Sequence, residues 1–110
     1  MKPGITQLCL SRQDLEEDLK YTRDAGYEAI ELVFSDIGSP SIDASAAELA
    51  AVKAACQQHQ LEICSILPTR KDAGSLLSSS VADWEKRIEV LHRGLEIAEA
   101  LDVDGLLLHP

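Results

Sequence analysis

The chain has 110 residues, 45% of them hydrophobic, which suits one globular domain with a core of ordinary size. Ten bases against 19 acids leave a formal charge of −9, which argues against nucleic acid as a partner, because phosphate-backbone binders need basic patches to displace counterions. No run approaches the roughly 20 apolar residues of a membrane span, and Met1-Lys2-Pro3-Gly4 leads into no signal-like apolar stretch; the expectation is a cytoplasmic protein with no membrane partner.

Ile5 to Leu10 is a short β-rich run, and Ser11 with Asp14 three positions on is a helix-start signal of capping-box type. Leu15, Leu19, Thr22, Ala25 and Gly26 recur at helical spacing, and Gly26 supplies a left-handed stop. Ala29 to Phe34 predicts a second strand. After the turn-rich loop Ser35 to Pro40, Ser45 with Glu48 opens a second helix whose apolar stripe is Leu49, Val52, Ala55 and Cys56, ending near Gln60. Leu61 to Leu67 predicts a third strand closed by Pro68. A polar loop, Thr69 to Ser80, leads into a long third helix with Trp84, Ile88, Leu91, Leu95, Ala98 and Leu101 along one face. Asp104 to His109 predicts a fourth strand.

The order β-α-β-α-β-α-β demands an α/β fold with a parallel sheet and right-handed crossovers. Four strands and three helices fit either a small open sheet or the first half of a (β/α)8 TIM barrel, for which about 250 residues are typical. Cys9, Cys56 and Cys64 are odd in number and contain no C-x-x-C pair, so neither a disulfide framework nor a zinc knuckle is indicated. Cys9 and Cys64 lie in apolar strand-like runs, where buried, inert thiols are expected.

Asp24-Ala25-Gly26-Tyr27-Glu28-Ala29-Ile30-Glu31-Leu32 resembles the second-strand motif of the xylose-isomerase-like TIM barrels, a group holding sugar and sugar-phosphate isomerases, epimerases and endonuclease IV-type enzymes. Ser80 to Arg87, Ile97 to Leu101 and Leu106 to Pro110 are similar to that group's third helix and fourth strand. The resemblance implies that residues 1–110 are an incomplete, N-terminal half-barrel of an isomerase or epimerase acting on a small sugar. It also implies a divalent metal (Mn, Mg, Co or Zn) in the complete barrel, whose principal ligands come from later strands. The 110 residues would then contribute pocket wall without a complete active site. Either a missing C-terminal half or further copies of the chain would cover the exposed sheet. Two alternatives stand beside this reading: a non-catalytic half-barrel or small α/β module that self-associates through its open sheet edges, and a fragment of an endonuclease IV-like metal-dependent enzyme.

Parallel-sheet enzymes place their chemistry at the carboxyl ends of strands. His109 occupies such an end and is the candidate substrate contact and the one candidate metal ligand of the chain. Glu31, inside an apolar strand, falls by alternation on the face of Ala29 and Val33 and would bind a substrate hydroxyl if that face lines a barrel; an internal salt bridge is the structural alternative. Phe34 is counted with these two as a substrate contact. Arg70, Lys71 and the serines up to Ser80 could meet a phosphate, against the plainer reading of a solvated loop. His59, His92 and Glu62 read as surface residues, Asp14, Glu16, Glu17 and Asp18 as a solvated acidic face, and Trp84 as a helix-to-sheet anchor. G-x-G-x-x-G, Walker, H-E-x-x-H and G-x-S-x-G motifs are absent, which disfavours dinucleotide, nucleotide-triphosphate and serine-hydrolase chemistry.

Overall fold

A computed structural model describes residues 1–110. Three parallel strands lie side by side in chain order: β1 (Gly4–Thr6), β2 (Ala29–Phe34) and β3 (Glu62–Pro68). Between and after them come α1 (Leu15–Asp24), α2 (Ala46–Gln58) and α3 (Val81–Leu101). The architecture is the α/β alternation of a partial TIM barrel.

All three helices pack on one face of the sheet. Ile30, Leu32 and Phe34 of β2 and Ile66 of β3 meet Leu19, Leu49, Val52, Cys56, Val90, Ile97 and Leu101 in one core cluster. Burying each large aliphatic or aromatic side chain contributes roughly 1.5–3 kcal/mol, so this seam is the main source of stability. The opposite face of the sheet carries the alternate residues, Ala29, Glu31 and Val33.

Several boundaries differ from the sequence expectations. The first strand ends at Thr6 and gives way to a 3-10 turn, Gln7–Cys9, capped by the Thr6 hydroxyl accepting from the Leu8 amide. Gln7 is fully buried there: its side-chain carbonyl accepts from the Val33 amide while its Nε2 donates to Asp18 and to the Ser39 carbonyl. The helix-capping residue of α1 is Asp14, which accepts from the Glu16 and Glu17 amides, and not Ser11. Gly26 takes φ +92°, the left-handed stop that the sequence signals, and Ser45 and Glu48 form the full reciprocal capping box of α2.

The expected fourth strand is only a single bridge. Leu106 pairs in parallel with Ile66, held by Ile66 N–H donating to the Gly105 carbonyl at 3.0 Å and Leu107 N–H donating to the Ile66 carbonyl at 2.8 Å. With no neighbour on its far side, the segment has one ladder where an inner strand has two.

α3 turns only part of its expected stripe inward, burying Ala98 and Leu101 but not its first half. Arg87, Val90, Gly94, Ile97, Ala98 and Leu101 are its buried positions, whereas Trp84, Ile88 and Leu95 are 41%, 46% and 60% exposed. The cause is Gly94. A Cβ at this position would lie 2.5 Å from Pro68 Cγ, so the helix approaches β3 along the one line without a side chain. Trp84 is therefore no helix-to-sheet anchor; its indole N–H donates to the Ser78 carbonyl.

Candidate functional site

The residues of the sheet's helix-free face form a polar row at one level of all three strands. Thr6 pairs with Glu31 and Glu31 with Ser65 in the strand register. The Thr6 hydroxyl donates to Glu31 Oε1 at 2.7 Å and the Ser65 hydroxyl to Oε2 at 2.5 Å. Glu31 is half-buried and has no cation among its partners, so the internal salt bridge considered for it is not formed. A carboxylate presents about four acceptor positions. Two are taken by these hydroxyls, which leaves two for donors arriving from the open side. That side is a cleft of about 320 Å³ bordered by Lys2, Gly4, Thr6, Ala29, Glu31, Cys64 and Ser65.

A β-bulge builds the row. The register steps from Ile30 opposite Ile63 to Glu31 opposite Ser65, leaving Cys64 as the extra residue of β3. Ile63, partly buried, thereby packs against the core cluster, while Cys64 is exposed at the cleft. Cys9 is exposed as well, and the one buried thiol is Cys56, pushed up to about 12 by burial and, secondarily, by the charge of Glu16. The expectation of buried thiols at Cys9 and Cys64 is thus reversed: the 3-10 turn carries Cys9 out of the sheet, and the bulge carries Cys64 out of the core.

Of the three residues singled out from the sequence, the structure places each differently. Glu31 lies on the helix-free face in mid-strand. Phe34 is fully buried on the other face among the helices, where its ring packs in the core and cannot meet a ligand at Glu31. Ile66 faces Leu106, which sets Ser65 and Glu31 level with Gly105 and leaves exposed His109 four residues further toward the carboxyl rim, a span of about 13 Å of extended chain. Glu31 and His109 therefore do not share a layer. The partners of Glu31 escaped the sequence reading because Thr6 meets it only through the β1–β2 register and the level of Ser65 depends on the bulge; the one available signal was a polar residue inside each apolar run.

At the rim, the loops after β2 and β3 are laced together. Arg70 grips Asp43 with both terminal nitrogens, at 3.1 and 2.5 Å, and holds that carboxyl below its ordinary range by hydrogen bond and charge. Asp36 accepts from the Lys71 amide at 3.0 Å, and Ser75 and Leu76 both donate to the Pro110 carbonyl. The Arg70 cation is thus already paired. Asp18, expected on a solvated face, is 4% exposed and accepts from Gln7, from the Ser11 hydroxyl and from the Arg12 amide. It fastens the loop after β1 to α1.

No group of three or more His, Cys, Asp or Glu side chains gathers anywhere in the chain. Catalytic zinc sites use three protein ligands and magnesium one or two carboxylates with substrate oxygens. Glu31, already engaged by two hydroxyls, and a solitary His109 in another layer do not by themselves fit a divalent-metal cage.

The family model described as xylose isomerase-like TIM barrel matches residues 19–110. Among solved structures, a D-psicose 3-epimerase determined in the presence of D-fructose is similar at 20% identity and a TM-score of 0.71, with 96% of this chain and 36% of that one covered. An AP endonuclease, family 2, from Brucella melitensis is similar at 21% identity and a TM-score of 0.60, over 96% of this chain and 40% of that one. A D-psicose 3-epimerase with D-tagatose from Clostridium cellulolyticum H10 is similar at 15% identity and a TM-score of 0.54, over 98% of this chain and 52% of that one. The chain thus spans about a third to a half of the length of these three barrels, and at such identities the likeness is one of fold. No curated protein matches it in sequence.

Proposed function

The chain belongs to the xylose isomerase-like TIM barrel family, and on that footing we propose that it forms part of the pocket wall of a sugar isomerase or epimerase. The observation that supports this reading is the Thr6–Glu31–Ser65 row. A carboxylate fixed by two hydroxyl donors, uncompensated by a cation and open to a cleft, is suited to accept hydrogen bonds from the vicinal hydroxyls of an open-chain sugar. Proton transfer between adjacent carbons needs a positioned acid–base pair. Glu31 supplies orientation in this scheme, while the base, and a divalent metal if the complete barrel uses one, come from outside these 110 residues. His109 stands as a single further contact at the rim, for substrate or as one metal ligand.

The remaining barrel half, or a second copy of the chain, covers the open edge at Leu106–Leu108. The endonuclease-like alternative draws no support from the charge of −9. A purely structural module is the rival that the test must separate.

Amide spectra of the chain titrated with D-fructose and D-tagatose provide that test. The reading expects shifts concentrated at Thr6, Glu31 and Ser65 that shrink at least threefold in Glu31→Gln, while a simple ketone without vicinal hydroxyls, which cannot donate to the carboxylate, serves as the specificity control. Shifts scattered over the surface, or equal in Glu31→Gln, would refute a pocket at Glu31.

A further inference from the structure

Arg87 is the one buried side chain whose polar atoms lack partners. It lies at the amino-terminal end of the buried seam of α3 and is 9% exposed. Its Nη2 donates to the Gly74 carbonyl at 3.0 Å, while the N–H groups of Nε and Nη1 meet no acceptor. No carboxylate stands within ion-pair distance of it. A guanidinium taken out of water without a counterion is unfavourable, because its attraction to an anion does not offset the lost hydration.

The missing counterion is one helical turn away. Asp83 precedes Arg87 by four residues, and acid before base at this spacing is the favourable order for an ion pair along a helix. Its carboxylate instead accepts from the Ser78 hydroxyl at 2.8 Å, and the Ser78 carbonyl accepts from the Trp84 indole. Gly74 presses so closely on α3 that a side chain there would overlap the Asp83 carbonyl and Lys86 Cβ. The β3–α3 loop thus engages both members of the unformed pair, Arg87 through Gly74 and Asp83 through Ser78. The start of the loop is fastened elsewhere, by Arg70 to Asp43 and by the Lys71 amide to Asp36.

We propose that residues 74–80 are a strap with two states. In the closed state, loop hydrogen bonds keep Asp83 and Arg87 apart; the bonds of Ser75 and Leu76 to the Pro110 carbonyl belong to it as well. In the lifted state the strap leaves α3, Arg87 regains water, and Asp83 and Arg87 pair with each other. Each state gains what the other gives up: closing forms the loop bonds and buries an uncompensated cation, and lifting reverses both, which is the balance that populates a minor state. The strap follows the carboxyl end of β3, the rim on which TIM barrels assemble their chemistry, so lifting opens that rim. The device is built from the loop and α3 and does not depend on the reading of Glu31.

Trp84 is the only tryptophan, so the resonance of its indole N–H reports the strap without ambiguity. Exchange of that N–H with water, measured on the full chain, follows the frequency of lifting. Arg87→Met removes the buried charge and the pair of the lifted state while keeping an unbranched stem, and should slow the exchange about tenfold. An Arg87 that merely anchors Gly74 would give the opposite sign, since its loss would loosen the loop. Ser78→Ala frees Asp83 to turn to Arg87 and should speed the exchange at least threefold in the wild type, yet less than 1.5-fold in the Arg87→Met background, a coupling read from the double-mutant cycle. Circular dichroism verifies the fold of each variant, and Arg87→Leu replaces Arg87→Met if that variant does not fold. Exchange that is unchanged or faster in Arg87→Met, or a Ser78→Ala effect of equal size in both backgrounds, would overturn the proposal.

Discussion

Replacing Gly94 by alanine sets two known effects against each other at the point where α3 meets the sheet. On an exposed helix the change stabilises by about 1 kcal/mol through helix propensity. Here the new methyl would lie 2.5 Å from Pro68 Cγ and 3.0 Å from both Pro68 Cβ and Leu106 Cδ1. Carbon atoms rest about 3.5–4.0 Å apart, so α3 must retreat by roughly 1 Å or its neighbours must turn aside. The proline ring has no rotamer to adopt, and overpacking of this kind costs about 1–3 kcal/mol. The balance is a loss of about 1 kcal/mol, seen in thermal unfolding as a midpoint lower by roughly 4–8 °C. The effect should also be local. Leu106 is the single bridge residue of the fourth segment, so hydrogen exchange at the Ile66 and Leu107 amides, which flank that bridge, should accelerate more than exchange within β2. Leu106→Ala in the same background removes one of the clashing atoms and should restore part of the loss, a coupling readable as a double-mutant cycle. A Gly94→Ala protein that is more stable than wild type by the full helix-propensity increment would refute the close approach of α3 to Pro68.

Two further outcomes follow from buried polar and thiol groups. Asp18→Ala leaves the Gln7 amide, the Ser11 hydroxyl and the Arg12 N–H without their acceptor, which should lower the urea-derived stability by about 2–4 kcal/mol; a loss under about 0.5 kcal/mol would show that the loop after β1 does not depend on this carboxylate. The Cys56 thiol is raised from 9.0 to about 12 in the folded chain, mainly by burial. The folded protein therefore retains a proton that the unfolded chain releases: the stabilisation is full below pH 9.0 and is lost as pH rises toward 12, by up to roughly 1.4 kcal/mol per pH unit. A thiol reagent at neutral pH should modify Cys9 and Cys64 rapidly and Cys56 only on unfolding, and Cys56→Ala should flatten the alkaline decline; equal labelling of all three thiols would contradict the burial of Cys56.

Local signals carried much of the fold. Ser45 with Glu48, Gly26, and the apolar runs at Ala29–Phe34 and Ile63–Leu67 are decided within a few residues of themselves, and the structure uses each as its chemistry suggests. What escaped depends on partners distant in sequence. The α3 seam passes through Gly94 because Pro68 and Leu106 approach there, and Arg87 is buried where it donates to the Gly74 carbonyl, whereas a count of apolar residues favours Trp84, Ile88 and Leu95 instead. Asp18 sits among acids on a helix that reads as solvated, yet Gln7, eleven residues earlier, folds back to bury it. Glu31 was legible as an oddity inside an apolar strand. Phe34 falls on the helix face by the same alternation that separates Glu31 from it, so counting both as pocket residues conflicts with the period of two.

The bulge at Cys64 explains why the helix-free face is polar at this level. A regular β3 would alternate faces without interruption, so with Ile66 in the core, Cys64 would face the helices and Ile63 would face the cleft beside Glu31. Insertion of one residue reverses that assignment below Ser65. Ile63 turns to the core, where burial favours it, and Cys64 turns outward. Ser65 stays opposite Glu31, and its hydroxyl supplies the second of the two donors that hold the carboxylate. The same irregularity therefore improves the core and finishes the polar row. Moving it one position toward the carboxyl end would set Cys64 in place of Ser65 opposite Glu31 and leave the half-buried carboxylate without its second hydroxyl donor.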